Sequence, residues 1–195
     1  MMKHLYVYTE EPSAKKVFDV VLRQVLPSDV TFKVIAHQGK QDLEKALKTT
    51  LPTLSRVPGA KILITMDQDN SDCKLLKSQL NDIVEENCQC DYLIRIICRE
   101  LEAWFLGDLI AVKSAYPRFN PSLHLGKVTL RNVDKVASPD EYLLRIIPEY
   151  AKRDKLPKLE IAENVSPHLN IENNHSDSFN HTIQAVKKLV GIDIS

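Results

Sequence analysis

Residues 61–69 read KILITMDQD, an apolar and β-branched run that ends in two aspartates. A run of this kind is typical of a strand buried inside a sheet. Similar short runs lie at residues 5–8, 31–35 and 92–97, and stretches with apolar residues at helical spacing separate them. Strands that alternate with helices predict βαβ units with right-handed crossovers. The sequence therefore predicts an α/β fold with a parallel sheet of about four strands flanked by helices.

The remaining sequence predicts mainly helices and loops. One amphipathic helix is expected over residues 100–115, with Trp104 as a core anchor, and a final helix over residues 177–190. Ser138-Pro139-Asp140-Glu141 has the pattern of a helix start with a capping box. The other helices are expected at residues 14–26 and 42–51 and around Leu76–Val84, while residues 117–136 and 152–174 are expected to be loops. We expect an α/β core at residues 1–116 and a helical extension at residues 117–195, packed together as a single domain.

The composition excludes several classes of function. Lys and Arg number 26, as do Asp and Glu, so no overall basic excess attracts nucleic acid. The five glycines form no glycine-rich phosphate loop. The sequence lacks an apolar run of membrane-spanning length and the pattern of a signal peptide, so a cytoplasmic location is expected. Cys88-Gln-Cys90 suggests a soft metal ion, but reduced thiols are the favoured interpretation because no second ligand pair is evident.

Acidic residues follow two of the predicted strands. In an open parallel sheet, ligands bind beyond the carboxyl ends of the strands. Asp67 and Asp69 lie two apart, so in extended chain both carboxylates face one way and can bind one hard cation. Glu10 follows the first strand and completes three carboxylates if the first and third strands are neighbours. The pattern predicts an oxygen-rich Mg²⁺ or Mn²⁺ site, with Asp72 as a further candidate ligand.

The alternative is a structural role, because Asp, Asn and Ser after a strand commonly form turns and helix caps. Asn70-Ser71-Asp72 fits a helix start without any metal. Three basic residues near the strand ends, Lys15, Lys16 and Arg99, are candidates for contacting phosphate, although such charges are usually solvated.

The segment Thr9-Glu10-Glu11-Pro12-Ser13-Ala14 resembles the first motif of the Toprim superfamily, and Asp67-Gln68-Asp69 resembles its D-x-D motif. A closer resemblance is to bacterial Toprim-like proteins of about this length that carry E-G-P-T-E, E-A-W and S-N-P-E-E motifs. The second and third correspond to Glu102-Ala103-Trp104 and Ala137-Ser138-Pro139-Asp140-Glu141. This resemblance selects Glu102 over Glu100 as a catalytic candidate; the alternative is that both form the solvated edge of a core helix.

The resemblance implies a Mg²⁺-dependent or Mn²⁺-dependent nuclease that hydrolyses phosphodiester bonds in DNA or RNA, with Glu10, Asp67, Asp69 and Glu102 as catalytic residues. It also implies a role in bacterial defence against phage beside an AAA-type ATPase. Two departures favour a catalytically silent module that binds a partner ATPase or nucleic acid. Glu11 replaces a glycine, so a turn that needs a positive φ would be strained, and Ala14 replaces an acid. Phosphoryl or nucleotidyl transfer to a small substrate is a third possibility.

Overall fold

The computed structural model describes residues 2–192, and these contain a four-stranded parallel sheet in the order β2-β1-β3-β4. The strands are β1 (Lys3–Thr9), β2 (Val30–Ala36), β3 (Ala60–Asp67) and β4 (Tyr92–Ile97). The predicted α/β fold is confirmed, and so is the expectation that the first and third strands are neighbours. Their carboxyl ends lie at one edge of the sheet, which we call the carboxyl edge.

Nine helices of four or more residues lie within residues 2–192. They are α1 (Pro12–Val25), α2 (Lys40–Thr49), α3 (Leu51–Leu54), α4 (Cys73–Asn87), α5 (Glu102–Leu106), α6 (Leu109–Ala115), α7 (Pro139–Ile146), α8 (Lys158–Val165) and α9 (Asp177–Val190). Short 3-10 turns occupy parts of residues 121–135. None of the helices in this part of the chain is long and apolar enough to cross a membrane.

Helices cover both faces of the sheet. Successive residues of a strand point to opposite sides, so each strand contributes side chains to the packing on both faces. On one face, Ile62 and Ile64 pack with the buried side chains of α2 and α4. On the other face, Leu63 belongs to a larger core with α1 and the helices that follow β4. Trp104 is buried there in edge-to-face contact with Phe18 and Phe179, which confirms it as a core anchor.

The prediction of a single helix over residues 100–115 is wrong, because the helix is interrupted at Gly107 and Asp108. The Asp108 carboxylate accepts a hydrogen bond from the amide of Ala111 at 2.9 Å and so begins α6 as a new helix. A Cβ atom on Gly107 would lie 2.0 Å from Oδ1 of Asn174, so this position requires glycine. The break packs the chain against residues 170–175.

Two other expectations about the second half are corrected. Residues 152–174 are not all loop, because they contain α8, where Ile161, Ala162 and Val165 are buried. Ser138 does precede α7 as predicted, but its side chain makes no capping hydrogen bond, so the capping box is absent. The final helix coincides with the predicted residues 177–190.

Candidate functional site

Glu10 and Asp67 meet at the carboxyl edge, as the strand order requires. Glu10 directly follows β1, Asp67 is the last residue of β3, and the two strands are hydrogen-bonded neighbours. The backbone amide of Asp67 donates to Oε2 of Glu10 at 3.1 Å. Oδ2 of Asp67 accepts from the amide of Leu101 at 3.3 Å. One oxygen of each carboxylate is thus engaged by a backbone amide.

A small cavity of about 10 Å³ lies against these carboxylates, and Glu11 and Ser13 also line it. A cavity of roughly this volume has room for about one water molecule. Oε2 of Glu11 accepts from the Ser13 hydroxyl at 3.3 Å, so its carboxylate belongs to the same polar surface. Glu11 has a φ of −130°, so the strain expected from a side chain at this position is absent. The turn therefore accommodates Glu11 where relatives of the resembled type have glycine.

Asp69 does not share the direction of Asp67, contrary to the extended-chain argument. Its φ of 51° places it in the left-handed region, so the chain turns immediately after β3. The Asp69 carboxylate forms an ion pair with Lys40 at 2.7 Å. The sequence could not predict this turn, because left-handed backbone is uncommon even for aspartate, which enters it more often than most residues.

Arg99 has the same rare backbone conformation in the neighbouring turn, with a φ of 58°. The amide of Asp69 donates to the Arg99 carbonyl at 2.7 Å, which continues the pairing of β3 with β4 past their ends. The Arg99 guanidinium donates to the Asp69 carbonyl at 3.4 Å and to Oδ1 of Asn70 at 3.3 Å. Left-handed backbone at a non-glycine residue is a form of strain that clusters at functional sites.

Asp72 is a helix cap and not part of this cluster. Its Oδ1 accepts from the amides of Lys74 at 2.8 Å and Leu75 at 2.9 Å, at the start of α4. The turn-and-cap interpretation is confirmed for Asp72, and we do not retain it as a metal ligand.

Glu102 is almost fully buried, with 1% of its side chain exposed, so the solvated-edge interpretation is wrong for this residue. The ammonium of Lys158 lies 3.4 Å from Oε2 of Glu102 and 3.8 Å from Oε2 of Glu100. Because α5 begins only at Glu102, Glu100 is outside the helix and both carboxylates reach one cation. Neither carboxylate oxygen of Glu102 has a hydrogen-bond partner within residues 2–192.

Burial and mutual repulsion dominate the electrostatics of these acids. Burial raises the pKa of Asp67 well above its usual range, and the carboxylates of Glu102 and Glu10 raise it further. Burial likewise raises the pKa of Glu10. Burial opposes the charge of Lys158, but Glu102, Glu100 and Glu11 together raise the pKa of its ammonium. The inner part of the cluster therefore has its own cation, whereas Glu10 and Asp67 face the small cavity.

The predicted phosphate contacts have different outcomes. Lys15 forms an ion pair with Asp19 at 2.6 Å, and Lys16 forms one with Glu163 at 2.6 Å, so both amines are engaged along α1. Arg99 lies at the carboxyl edge beside Asp69, and its guanidinium forms no ion pair within residues 2–192.

The sequence analysis missed two basic residues at the site, Lys40 and Lys158. Lys40 had a recognisable signal, because it follows β2, the strand beside β1, and is therefore also at the carboxyl edge. The sequence around Lys158 contained no signal of this kind, because Lys158 reaches the acids only through the packing of α8 on α1.

The acids at the carboxyl edge fit a hydrated Mg²⁺ better than a metal enclosed by protein ligands. Among residues 2–192, no three Asp, Glu, His or Cys side chains are arranged to hold one metal ion. Mg²⁺, however, is usually bound by one or two carboxylates, with water and substrate phosphates as its other ligands. Glu10 and Asp67 supply two carboxylates beside a cavity for one small atom. All four cysteines are free thiols.

The comparisons with known proteins give one family. The model of a family described as a domain of unknown function (DUF4276) matches residues 9–187, which include both strand ends and Lys158. No curated protein and no solved structure matches the chain.

Proposed function

The chain belongs to the DUF4276 family, and from the acids at its carboxyl edge we propose that it is a Mg²⁺-dependent nuclease. The observation that carries the proposal is the pair of carboxylates, Glu10 and Asp67, beside a cavity of about 10 Å³. Both carboxyl groups have raised pKa values, chiefly because of burial. A divalent cation stabilises buried carboxylates that repel one another, and Mn²⁺ would fit the same oxygen ligands.

In this proposal Glu10 and Asp67 hold the metal, and the other charged groups position them. When bound, Mg²⁺ polarises a phosphoryl oxygen and lowers the pKa of a water ligand. Glu102 is a positioning residue: it is buried behind Asp67, and its charge is balanced by Lys158. The Leu101 amide fixes the direction of the Asp67 carboxylate.

Lys40 and Arg99 are suited to receive the phosphate of a nucleic acid. Lys40 has 30% of its side chain exposed and lies at the carboxyl edge in its ion pair with Asp69. Arg99 supplies a guanidinium, a group that forms bidentate hydrogen bonds with phosphate oxygens. Asp69 acts in this scheme through Lys40, which it orients, and not as a metal ligand.

A catalytically silent module is the second candidate, in which the same fold binds a partner ATPase or nucleic acid. The ion pairs favour it, because Lys40 already neutralises Asp69 and Lys158 already neutralises Glu102. We propose the partner ATPase, the bacterial origin and the anti-phage role on the basis of the resemblance to Toprim-like defence proteins.

Titration with Mg²⁺ or Mn²⁺, followed by incubation with single-stranded and double-stranded DNA and RNA, separates the two candidates. The nuclease proposal expects calorimetric metal binding and cleavage, with at least about a hundredfold loss of cleavage in Asp67→Asn and Glu10→Gln. Asp91→Asn is the matched control, because Asp91 pairs with Lys61 and directly precedes β4, at the opposite edge. If the folded protein binds no metal at millimolar concentration and cleaves no substrate, the nuclease proposal is rejected and the catalytically silent module is supported.

A further inference from the structure

A cavity lies at the junction of α5 and α6, and we call it the junction cavity. Its volume is about 510 Å³, within the range of about 300–1,000 Å³ that is typical of sites for small ligands. Three segments enclose it: residues 106–110, residues 124–133 and residues 168–175. None of its lining residues lines the small cavity at Glu10 and Asp67, so it is separate from the proposed metal site.

The floor of the junction cavity is built by contacts that fix the helix break. The amide of His175 donates to the Gly107 carbonyl at 2.9 Å. The Asp108 carboxylate accepts from the amides of Ala111 at 2.9 Å and Asn170 at 2.8 Å. This carboxylate is the single acidic group in the lining, and both of its oxygens are already hydrogen-bonded. The Asp108 carboxylate keeps its negative charge, but both of its oxygens are occupied by backbone amides of the protein.

The polar groups that remain in the lining are basic or neutral. Arg131 is exposed, and its guanidinium has no ion-pair partner within the described residues 2–192. Three histidines, His124, His168 and His175, line the same space. Nζ of Lys127 lies 3.3 Å from Nδ1 of His124 and adds a cation at the rim. The two cations, Arg131 and Lys127, favour an anionic group on the ligand.

The segment of the lining that carries Arg131 is anchored by contacts outside the cavity. Asp134, three residues further along, accepts from the Ser176 hydroxyl at 2.6 Å and from the Ser178 amide at 2.9 Å. These contacts anchor the backbone near Arg131 to the start of α9.

The other parts of the lining suit a flat apolar group. Leu109, Ile110, Leu125 and Leu130 contribute aliphatic surface, and 60% of Ile110 and 58% of Leu125 is exposed. The imidazole of His124 stacks on Phe119, with 5.3 Å between ring centroids and 15° between ring planes. Proteins commonly stack nucleobases on the faces of aromatic side chains, histidine among them.

From this combination we propose that the junction cavity binds a nucleoside monophosphate, with the phosphate at Arg131 and the base against His124 and the neighbouring leucines. The volume accommodates one such ligand. The proposal is independent of the nuclease assignment, because it uses none of the acids at the carboxyl edge.

Calorimetric titration of the full chain with AMP, adenosine, ribose 5-phosphate and inorganic phosphate tests this assignment. The expected result is one AMP per chain, bound more tightly than the other three probes. Arg131→Gln is expected to weaken AMP and ribose 5-phosphate at least about tenfold. His124→Ala is expected to weaken AMP while leaving ribose 5-phosphate unchanged. Lys188→Gln, on the exposed side of α9, is the matched charge control and should bind AMP normally.

Three outcomes would overturn the proposal. The first is no saturable AMP binding at millimolar concentration by protein whose circular dichroism shows it folded. The second is equal AMP affinity in Arg131→Gln and the unmodified chain. The third is loss of AMP binding in Asp67→Asn, which would place the nucleotide at the carboxyl edge. A single-stranded oligonucleotide distinguishes the source of the ligand, since its Arg131-dependent binding in the absence of AMP binding would exclude a free mononucleotide.

Discussion

Asp67 and Glu10 are separated by 57 positions in the chain, yet the amide of Asp67 donates directly to the carboxylate of Glu10. The bond joins the ends of β3 and β1 and brings two half-buried carboxyl groups to one surface. A fold selected for stability alone would not keep two repelling acids there, because burial already disfavours their charged forms. The arrangement is stable because backbone amides, Lys40 and Lys158 each compensate part of the charge.

Replacing Asp67 with Asn should stabilise the metal-free protein at neutral pH. Burial raises the pKa of the Asp67 carboxyl above its unfolded value of about 3.9, so the folded state binds the proton more tightly. The stability that protonated Asp67 contributes is present below about pH 3.9 and is lost as the pH rises through the raised value. In a chelating buffer at pH 7.5, Asp67→Asn should therefore melt about 2–4 °C higher.

The difference between Asp67→Asn and the unmodified chain should shrink as the pH is lowered towards 4. Thermal melting followed by circular dichroism across this range measures it. A melting temperature that is lower in Asp67→Asn at every pH would contradict the pKa direction given for Asp67. The exposed Asp91→Asn variant should show no comparable gain.

Removing the amine of Lys158 should strongly destabilise the fold, because Glu102 would keep a buried charge without its cation. We expect Lys158→Met to lower the free energy of unfolding by about 3 kcal/mol. Adding Glu102→Gln to the same chain should recover most of that loss, since the fully buried side chain is then neutral and only the partly exposed Glu100 lacks its cation. Urea unfolding of both single variants and the double variant gives the coupling free energy. Additive effects would mean that Glu102 and Lys158 do not interact in the folded protein.

The left-handed backbone of Arg99 predicts an unusual preference for glycine. Both Arg99→Gly and Arg99→Ala remove the guanidinium, but only glycine adopts a φ of 58° without strain. The free energy of unfolding should be about 1–2 kcal/mol higher for the glycine variant than for the alanine variant. At Arg145, an exposed position inside α7, the same pair of substitutions should give the opposite order. Chemical denaturation measures both pairs.

The sequence was sufficient to predict the sheet and the meeting of Glu10 with Asp67. Both predictions depend on local patterns, namely apolar runs for the strands and the rule that parallel strands end at one edge. The position of Asp69 was not predictable in this way, because one φ angle decides whether its carboxylate faces Asp67 or Lys40. The burial of Glu102 was equally inaccessible, since its counter-charge is 56 positions away at Lys158.

The helix boundaries predicted for the second half of the chain were wrong for a different reason. Residues 100–115 have helical periodicity throughout, and the break at Gly107 depends on contact with Asn174 far along the chain. In α8, the buried residues Ile161, Ala162 and Val165 do have helical spacing. Their signal was hidden by the polar residues and prolines on either side.

The origin of Lys158 in the last quarter of the sequence affects the order in which the molecule matures during translation. A nascent chain whose first 130 residues have left the ribosome carries Glu10, Asp67, Glu100 and Glu102 but not the ammonium that balances the two inner glutamates. The carboxyl edge reaches its native charge balance only after α8 has emerged and docked on α1. Synthesis thus delays the charge balance of this acidic surface until residues 158–165 have been made.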